Sequence, residues 1–455
     1  MWRATFRRRQ FLKKTTLGTA GFAIGGATMD GLARSESDQK LAILGGEPIR
    51  KDPFPAWPII EARDEKAWLE VLRARHWFRG NGDMVSRFEG EFGRLMGSKE
   101  CLATANGTSA LLASLAALGI GPGDEVLVPP YTFVATVNVV LLHHALPVFV
   151  DTDLDTFQMD ATKLEAAITE KTRCVIPVHL GGSAADLDTI RSLSKKHGLS
   201  VVEDACQAHL AEWRNRKVGT WGHTGCFSFQ VSKNLSSGEG GAIVSDDSEL
   251  MDRCYSFHTN GRARNRPSAG FAYVRNGANL RMTEFQGALL LQQMLRLDEQ
   301  SRTREQNAEY LTRQLSEIPG IHPARQLPGC TRNAYHLYMF RYDPSHFSGV
   351  PRDRFLDALR AEGIPCSPGY SPLNQEPFLK EALHSRGFQA VYGRPRIEEY
   401  FKRISCPVND RLCREAVWFT QPMLLGARSD MDQIAQAIRK IQSASSELSR
   451  QQSET

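Results

Sequence analysis

Short apolar runs alternate with stretches of helical spacing between about residue 100 and about residue 250. The runs predict buried strands at 125–128, 147–150, 174–178, 200–202 and 242–244. Apolar residues at three- and four-residue spacing predict helices at 61–75, 85–96, 109–118, 131–142, 163–169 and 187–197. Strands that alternate with helices in this way predict a mostly parallel sheet covered by helices on both faces, which is an α/β fold.

The pattern changes after about residue 300. A stretch with apolar residues at helical spacing, 283–308, predicts a long helix that joins two domains. Beyond it we expect helices at 310–318, 352–362 and 430–441 and a strand at 335–342, a mixture that indicates a smaller α+β domain. We therefore place a large domain at 35–300, a small domain at 301–442 and a polar tail, expected to be disordered, at 443–455.

Composition excludes some classes of function. The chain has 455 residues, 41% of them hydrophobic and 24% charged, values typical of a soluble globular protein. Residues 1–34 hold seven Lys/Arg and one Asp, a net +6 against +5 for the whole chain, so the remainder carries −1. A body this close to neutral has no basic surplus for nucleic acid. Nine cysteines without a Cys-x-x-Cys pair argue against a disulfide framework and a structural zinc site, and we expect no metal.

The N-terminal 34 residues have the pattern of a targeting segment. Adjacent arginines at Arg7, Arg8 and Arg9 precede Phe11 and Leu12, and a weakly apolar run follows at 15–28. This resembles a twin-arginine export signal, which would place the mature protein outside the cytoplasm. The alternative is a disordered basic tail on a cytoplasmic protein. No later stretch reaches 18 consecutive apolar residues, so we expect no membrane span.

Three features carry candidate chemistry. Residues 106–109 form a small-residue turn that opens directly into a predicted helix, an arrangement that suits an anion but also describes an ordinary N-cap. Asp204 and Gln207 follow a buried strand, where ligands of parallel sheets bind, although Asp204 could simply cap a helix. Lys233 lies between a short apolar strand and the glycine-rich turn 238–241, and a lysine in such a loop is often only a surface residue.

The order of these features resembles the fold type I pyridoxal-phosphate enzymes, and within them the DegT/DnrJ/EryC1/StrS family of sugar and cyclitol aminotransferases. The resemblance runs from about residue 41 to residue 442. It is most specific in NGTSAL at 106–111, PPYTFVATVN at 129–138, VEDACQAH at 202–209, FSFQVSKNLSSGEGG at 227–241, GANLRMTEFQGAL at 277–289 and YHLYMFR at 335–341. It implies a large domain with a mostly parallel sheet of the seven-stranded type between helices, followed by a smaller α+β domain.

The resemblance also implies roles for single residues. Lys233 would form a Schiff base with the aldehyde of pyridoxal 5′-phosphate and later move a proton. Asp204 would pair with the protonated pyridine nitrogen and keep the ring an electron sink. Phe133 matches the aromatic position that stacks on the ring, and Gln207 a position near the ring hydroxyl or the phosphate.

The phosphate has its own set of positions in the family pattern. Thr108, Ser109 and Ser228 match phosphate binders. Asn279 matches a residue that reaches the phosphate of the neighbouring subunit's cofactor, which implies a homodimer with shared active sites. His336 has two interpretations, a residue near the substrate or a satisfied core histidine.

Lys233 also bears on the reaction. Dehydratase relatives carry histidine at this position, so the resemblance favours transamination. The donor would be glutamine or glutamate, and the amine would pass by way of pyridoxamine phosphate to a keto-sugar or a keto-cyclitol. The segments 363–370, 406–408 and 418–425 look most like the aminocyclitol branch, such as scyllo-inosose aminotransferases. The alternatives are a lyase or dehydratase with the same cofactor, and a non-catalytic binding protein that keeps the fold.

Overall fold

The computed structural model describes residues 40–264 and 272–450. The predicted export signal therefore lies outside the described residues. The first half of the described chain contains the strands β1 (Glu100–Thr104), β2 (Glu125–Val128), β3 (Leu146–Phe149), β4 (Thr172–Val175), β5 (Ser200–Asp204), β6 (Glu212–Trp213), β7 (Arg216–Lys217), β8 (Thr224–Ser228) and β9 (Gly241–Ser245). Its helices are α1 (Ala62–Ala74), α2 (Met84–Met96), α3 (Gly107–Ala117), α4 (Ala135–Leu142), α5 (Leu187–His197) and α6 (Ser248–His258).

The second half contains more helices and short strands. A 33-residue helix, α7 (Glu284–Ser316), precedes β10 (Ile321–Pro323), β11 (Cys330–Arg332) and β12 (Leu337–Tyr342). The remaining helices are α8 (Arg352–Ala361), α9 (Pro377–Leu383), α10 (Arg386–Tyr392), α11 (Arg394–Arg403), α12 (Pro407–Glu415), α13 (Arg428–Ser443) and α14 (Ser445–Arg450), with β13 (Ala416–Thr420) between α12 and α13. No helix of the described residues is both long enough and apolar enough to cross a bilayer.

The large sheet confirms the predicted α/β class. Seven strands lie in the order β1-β9-β8-β5-β4-β2-β3. The pairs β2–β3, β2–β4, β4–β5 and β5–β8 are parallel, and only the pairs of β9 with β1 and β8 are antiparallel. The strands are buried on both faces, since helices cover the two sides. Asp204 thus lies at the carboxyl end of a central strand, where parallel sheets place ligands.

The small sheet, β10-β12-β13, organises the C-terminal part of the chain. Its apolar face packs with α8, α13 and the second half of α7, and the core includes Leu311, Phe340, Phe355, Phe419 and Ile438. Because Leu311 and Leu315 are fully buried here, the helix continues without a break past residue 300. The predicted domain boundary therefore falls inside a single helix, and the two helices predicted at 283–308 and 310–318 are one.

Three local expectations differ from the structure. The helix predicted at 163–169 is two 3₁₀ turns, Ala161–Lys163 and Glu165–Ala167, because Asp160 caps the segment and residue 168 is already extended. Helices α9 to α11 belong by sequence to the predicted small domain, yet Leu379, Leu383 and Phe388 pack into the core of the large sheet. The tail predicted to be disordered from 443 is helical as far as Arg450, because Leu448 is buried in the small-domain core.

Candidate active site

A cavity of about 940 Å³ opens beyond the carboxyl ends of β4, β5 and β8. It gathers most of the predicted site residues from four segments of the chain: Thr108, Phe133, Asp204, Gln207, Ser228 and Lys233. Ser109 does not line it, since it is buried in the first turn of α3, where its amide donates to the Asn106 side chain at 2.8 Å. Asn279 is exposed and lies outside the lining of this cavity.

Lys233 is held by the loop that connects β8 to β9. Phe227 and Phe229 are fully buried against the helix α2, and the ring of Phe92 contacts both edge-on. Backbone bonds close the loop: Phe229 donates to Gly240 at 2.7 Å, and Lys233 donates to Gln230 at 2.9 Å. The lysine is therefore aimed into the cavity from an anchored base.

Burial dominates the electrostatics of this lysine. Loss of water around the ammonium lowers the pKa of Lys233, against the opposing attraction of Cys206 and Asp204. A lower pKa raises the fraction of unprotonated amine, which is the nucleophilic form. Its nearest polar contact is His336, with 3.4 Å between Nζ and the imidazole Nε2.

Asp204 lies on the cavity floor with 5% of its surface exposed. Its carboxylate accepts hydrogen bonds from the Thr136 hydroxyl at 2.8 Å and from the Cys206 amide at 3.2 Å. Among the described residues, no cationic side chain forms an ion pair with it. A buried carboxylate without a counter-ion is costly, so this one is suited to a ligand that brings a positive charge.

The start of α3 forms another part of the cavity lining. Gly107 and Thr108 line it, with Ser228 beside them. A Cβ built on Gly107 would come within 2.8 Å of both the Ser228 Cβ and the Cys206 Sγ, so only glycine leaves the first turn this close to β8. The free amides of a helix N-terminus and two hydroxyls form a site that suits a phosphate.

Gln207 connects the cavity floor to the small domain. Its carbonyl oxygen accepts from the Gly181 amide at 2.8 Å, and its amide group donates to the Tyr370 hydroxyl at 3.0 Å. Tyr370 packs edge-on against Trp418 with 4.5 Å between ring centroids, and both residues line the cavity. This wall is aromatic and uncharged.

One cavity thus contains an amine of lowered pKa, a buried carboxylate without a cationic partner among the described residues, and a site that suits an anion. The profile of the family described as "DegT/DnrJ/EryC1/StrS aminotransferase family" matches residues 58–418. The chain belongs to this family. Its fold class is that of the fold type I aminotransferases among its structural neighbours.

Similar proteins agree with this assignment. The chain is 38% identical over 414 residues to the L-glutamine:2-deoxy-scyllo-inosose aminotransferase of Streptoalloteichus tenebrarius, covering 88% of this chain and 97% of that one. It is 35% identical over 426 residues to the L-glutamine:scyllo-inosose aminotransferase of Streptomyces griseus, covering 91% and 100%. The crystal structure of 3-amino-5-hydroxybenzoic acid synthase superposes with a TM-score of 0.76 at 31% identity, covering 86% and 99%.

Several residues of this aminotransferase site were not predicted from the sequence. Trp57, Tyr370 and Trp418 line the cavity, and Thr136 holds Asp204. Thr136 lies in the PPYTFVATVN segment, which carries part of the family resemblance. Its role was not predicted, because that role depends on the contact of Thr136 with Asp204 on β5. Tyr370 and Trp418 lie in the segments 363–370 and 418–425, which were singled out only for their likeness to the aminocyclitol branch. Trp57 lies far from both in the sequence, so only the fold brings the three aromatic residues to one cavity.

Proposed function

We propose that this aminotransferase uses pyridoxal 5′-phosphate to transfer the α-amino group of L-glutamine to the ketone of a scyllo-inosose-type cyclitol. The observation that carries the proposal is the placement of Lys233, with its lowered pKa, in one cavity with the unpaired carboxylate of Asp204 and the start of α3. The named activities of the similar proteins support glutamine as the donor and a keto-cyclitol as the acceptor.

The residues present fit the cofactor. Asp204 offers a buried carboxylate for the ring nitrogen, and the Thr136 hydroxyl and the Cys206 amide hold that carboxylate in place. Gly107, Thr108 and Ser228 offer amides and hydroxyls for the phosphate, and Phe133 offers an aromatic face. When bound, pyridoxal phosphate supplies an electron sink for the carbon that carries the transferred nitrogen.

The protein's own part is to hold groups and to move protons. Lys233 in its amine form would take a proton from the carbon that carries the transferred nitrogen and return it to the carbon on the opposite side of that nitrogen. The Asp204 carboxylate would hold the ring nitrogen of the bound group. Tyr370 and Trp418 line one side of the cavity with aromatic rings, and the Trp57 indole donates to the Val231 carbonyl near Lys233 at 2.8 Å.

The acceptor end of the cavity suits an uncharged, hydroxyl-rich ring. Ser367, Thr420 and Tyr370 present hydroxyl groups between aromatic surfaces, a combination that can bind both the edges and the faces of a polyol. Among the described lining residues Lys233 is the only lysine or arginine, which favours a free cyclitol over a charged acceptor.

A labelled amino donor tests the reaction. The holoenzyme is incubated with L-glutamine labelled with ¹⁵N at the α-amino group and with scyllo-inosose or 2-deoxy-scyllo-inosose. We expect the label in an aminocyclitol, detected by mass spectrometry. Label released as ammonia would indicate the lyase alternative, and label that stays in glutamine with every keto-cyclitol and keto-sugar offered would indicate a binding protein.

We also propose a homodimer in which the two subunits share each active site. Phe133 and Val231 lie at the cavity mouth with 55% and 43% of their surfaces exposed, and Tyr273 and Val274 are exposed by 62% and 50%. Exposed apolar side chains of this size favour burial against a second copy. Asn279, also exposed, then belongs to the neighbouring subunit's phosphate site, as the family resemblance implies.

The third proposal is export through the twin-arginine pathway, supported by the sequence at Arg7, Arg8 and Arg9. Replacing both Arg8 and Arg9 with lysine keeps the charge but removes the arginine pair. We expect the double variant to stay in the cytoplasm while the wild type is exported. Equal distribution of the two proteins would contradict the proposal and favour a cytoplasmic enzyme with a basic tail.

A further inference from the structure

Behind Lys233 lies a line of hydrogen bonds that the reaction described above does not use. It runs from the backbone carbonyl of Ala334 through the side chains of Asn234 and His336 to the lysine amine. Asn234 is 2% exposed and His336 is 6% exposed, so water reaches neither freely. The order of donors and acceptors along this line can therefore be worked out from the fixed end.

The fixed end is Ala334, because a backbone carbonyl only accepts hydrogen bonds. The Asn234 atom that lies 2.7 Å from it must be the amide nitrogen, Nδ2. This places the amide oxygen, Oδ1, toward His336, 3.3 Å from Nδ1 of the imidazole. Since Oδ1 only accepts, Nδ1 of His336 carries the hydrogen.

The other ring nitrogen faces Lys233. Nε2 of His336 lies 3.4 Å from the lysine Nζ. In a neutral imidazole with its hydrogen on Nδ1, Nε2 is an acceptor, so the lysine donates. If the imidazole were protonated, two N–H donors would face each other and the contact would be repulsive.

The surroundings keep the imidazole neutral. Burial is the main cause that holds the pKa of His336 well below its usual value, and the charges of Lys233 and Arg304 and the ring of His209 act in the same direction. Arg304 is fully buried, and its guanidinium has no carboxylate partner among the described residues; its Nε donates to Gln421 at 2.8 Å. Burial lowers the pKa of Arg304 only to about 9, so its positive charge persists at neutral pH.

We infer that His336 is a positioning residue for Lys233: a neutral imidazole, fixed as the Nδ1-protonated tautomer by Asn234, that accepts a hydrogen bond from the lysine amine. One N–H of the amine is then bound at the back of the cavity. The lone pair of the neutral amine is directed away from His336, toward the cavity, where a carbonyl carbon can be attacked. This inference rests on the proposed function in so far as Lys233 is the reactive amine.

The first test follows the titration of Lys233 in the full chain freed of cofactor. The rate of its modification by an amine-directed acylating reagent is measured against pH by peptide mass spectrometry. In His336→Phe the acceptor is lost, and we expect the pKa of Lys233 to fall by about one unit, because the hydrogen bond stabilises the ammonium more than the amine. In His336→Gln the side-chain oxygen replaces Nε2, and the titration stays near that of the wild type.

If His336 had a purely structural role, both substitutions would change folding, but the pKa of Lys233 would be the same in the two variants. Equal Lys233 titration in the wild type, His336→Phe and His336→Gln would overturn the inference. Cofactor uptake, followed by the visible colour after addition of pyridoxal phosphate, is measured separately. A wild type that stays colourless contradicts the proposed function, while the titration still tests the contact between His336 and Lys233.

The second test needs no destabilising variant. Histidine-labelled ¹⁵N NMR of the wild-type chain reports which ring nitrogen carries hydrogen, and the His336 signals are assigned by their loss in His336→Gln. We expect a protonated Nδ1 and an unprotonated Nε2 at neutral pH. A hydrogen on Nε2, or on both nitrogens, would overturn the inference.

Discussion

Asp204 carries a buried carboxylate that forms no ion pair with a cationic side chain of the described residues. Substitution with asparagine keeps an oxygen that can accept from the Thr136 hydroxyl but removes the charge. We expect Asp204→Asn to lower kcat/KM for amino transfer by about a hundredfold or more, since the ring nitrogen is no longer held in its protonated form. Steady-state kinetics with glutamine and scyllo-inosose provide the measurement.

Thr136→Val is the matched control for this prediction. It leaves the charge of Asp204 and removes two hydrogen bonds of the Thr136 hydroxyl, one to Asp204 at 2.8 Å and one to the Thr132 hydroxyl at 3.0 Å. Since the bond to Asp204 contributes about 1 kcal/mol, the loss in kcat/KM stays below about tenfold. If the two variants lost the same amount, the charge would not be what matters, and the assignment of Asp204 to the ring nitrogen would be wrong.

Site residues that lie in contiguous motifs could be predicted from the sequence. Thr108, Phe133, Asp204, Gln207, Ser228 and Lys233 were all predicted, and the structure brings them to one cavity. Their roles toward the cofactor remain predictions. The contact of Lys233 with His336 spans 103 positions of the chain, and no local pattern indicates which of the twelve histidines lies there.

Strand β5 carries a second buried carboxylate next to Asp204, directed to the other side of the sheet. Glu203 accepts four hydrogen bonds: from Nε2 of His179 at 2.9 Å, and from three amides of the segment 219–222 at 2.6–2.7 Å. His179 is the donor because its Nδ1 accepts from the Ala185 amide. Glu203 thus ties the loop before β8 to β5 and helps to set the register of the strand that leads to Lys233.

Glu203→Gln introduces an NH₂ group where only acceptors fit. We expect the free energy of unfolding to fall by about 3 kcal/mol, because at least one buried amide loses its partner. Urea denaturation measures the change. Glu91→Gln, on the exposed surface of α2, is the control and should leave the midpoint unchanged; an unchanged midpoint for Glu203→Gln as well would show that this network does not stabilise the fold.

The spacing of apolar residues predicts where the helix α7 starts but not how far it extends. The start of α7 was predicted at Thr283, and the structure has a capping box there with Gln286. The length of α7 was not predictable, because the helix continues past residue 308 through Leu311 and Leu315, which are buried in the small-domain core. The same holds for α14, whose polar sequence gives no sign that Leu448 is buried.

The proposed homodimer makes a specific prediction for mixed subunits. Lys233→Ala removes the amine from its own site, and Asn279→Asp places a negative charge beside the phosphate in the partner's site. Each variant alone should be impaired. When the two are unfolded together and refolded in equal amounts, about a quarter of all sites combine an intact Lys233 with an intact Asn279, and we expect activity to rise to about that fraction of the wild type.

Light scattering should find a dimer in each parent protein and in the mixture. Activity no higher than the average of the two parents would contradict a shared site, whatever the oligomeric state. Within one chain, Lys233 lines the cavity and Asn279 lies outside it. The prediction therefore combines this position of Asn279 with the role in the neighbouring subunit that the family resemblance implies.

The proposed activity of the whole molecule requires that Lys233 is the amine that reacts with the cofactor carbonyl. Borohydride reduction of the holoenzyme, followed by digestion and mass spectrometry, tests it most directly. We predict the mass of the reduced cofactor on the peptide that contains Lys233, and no such adduct in Lys233→Ala. An adduct on a different lysine, or none in a wild-type protein that carries cofactor, would contradict the role proposed for Lys233.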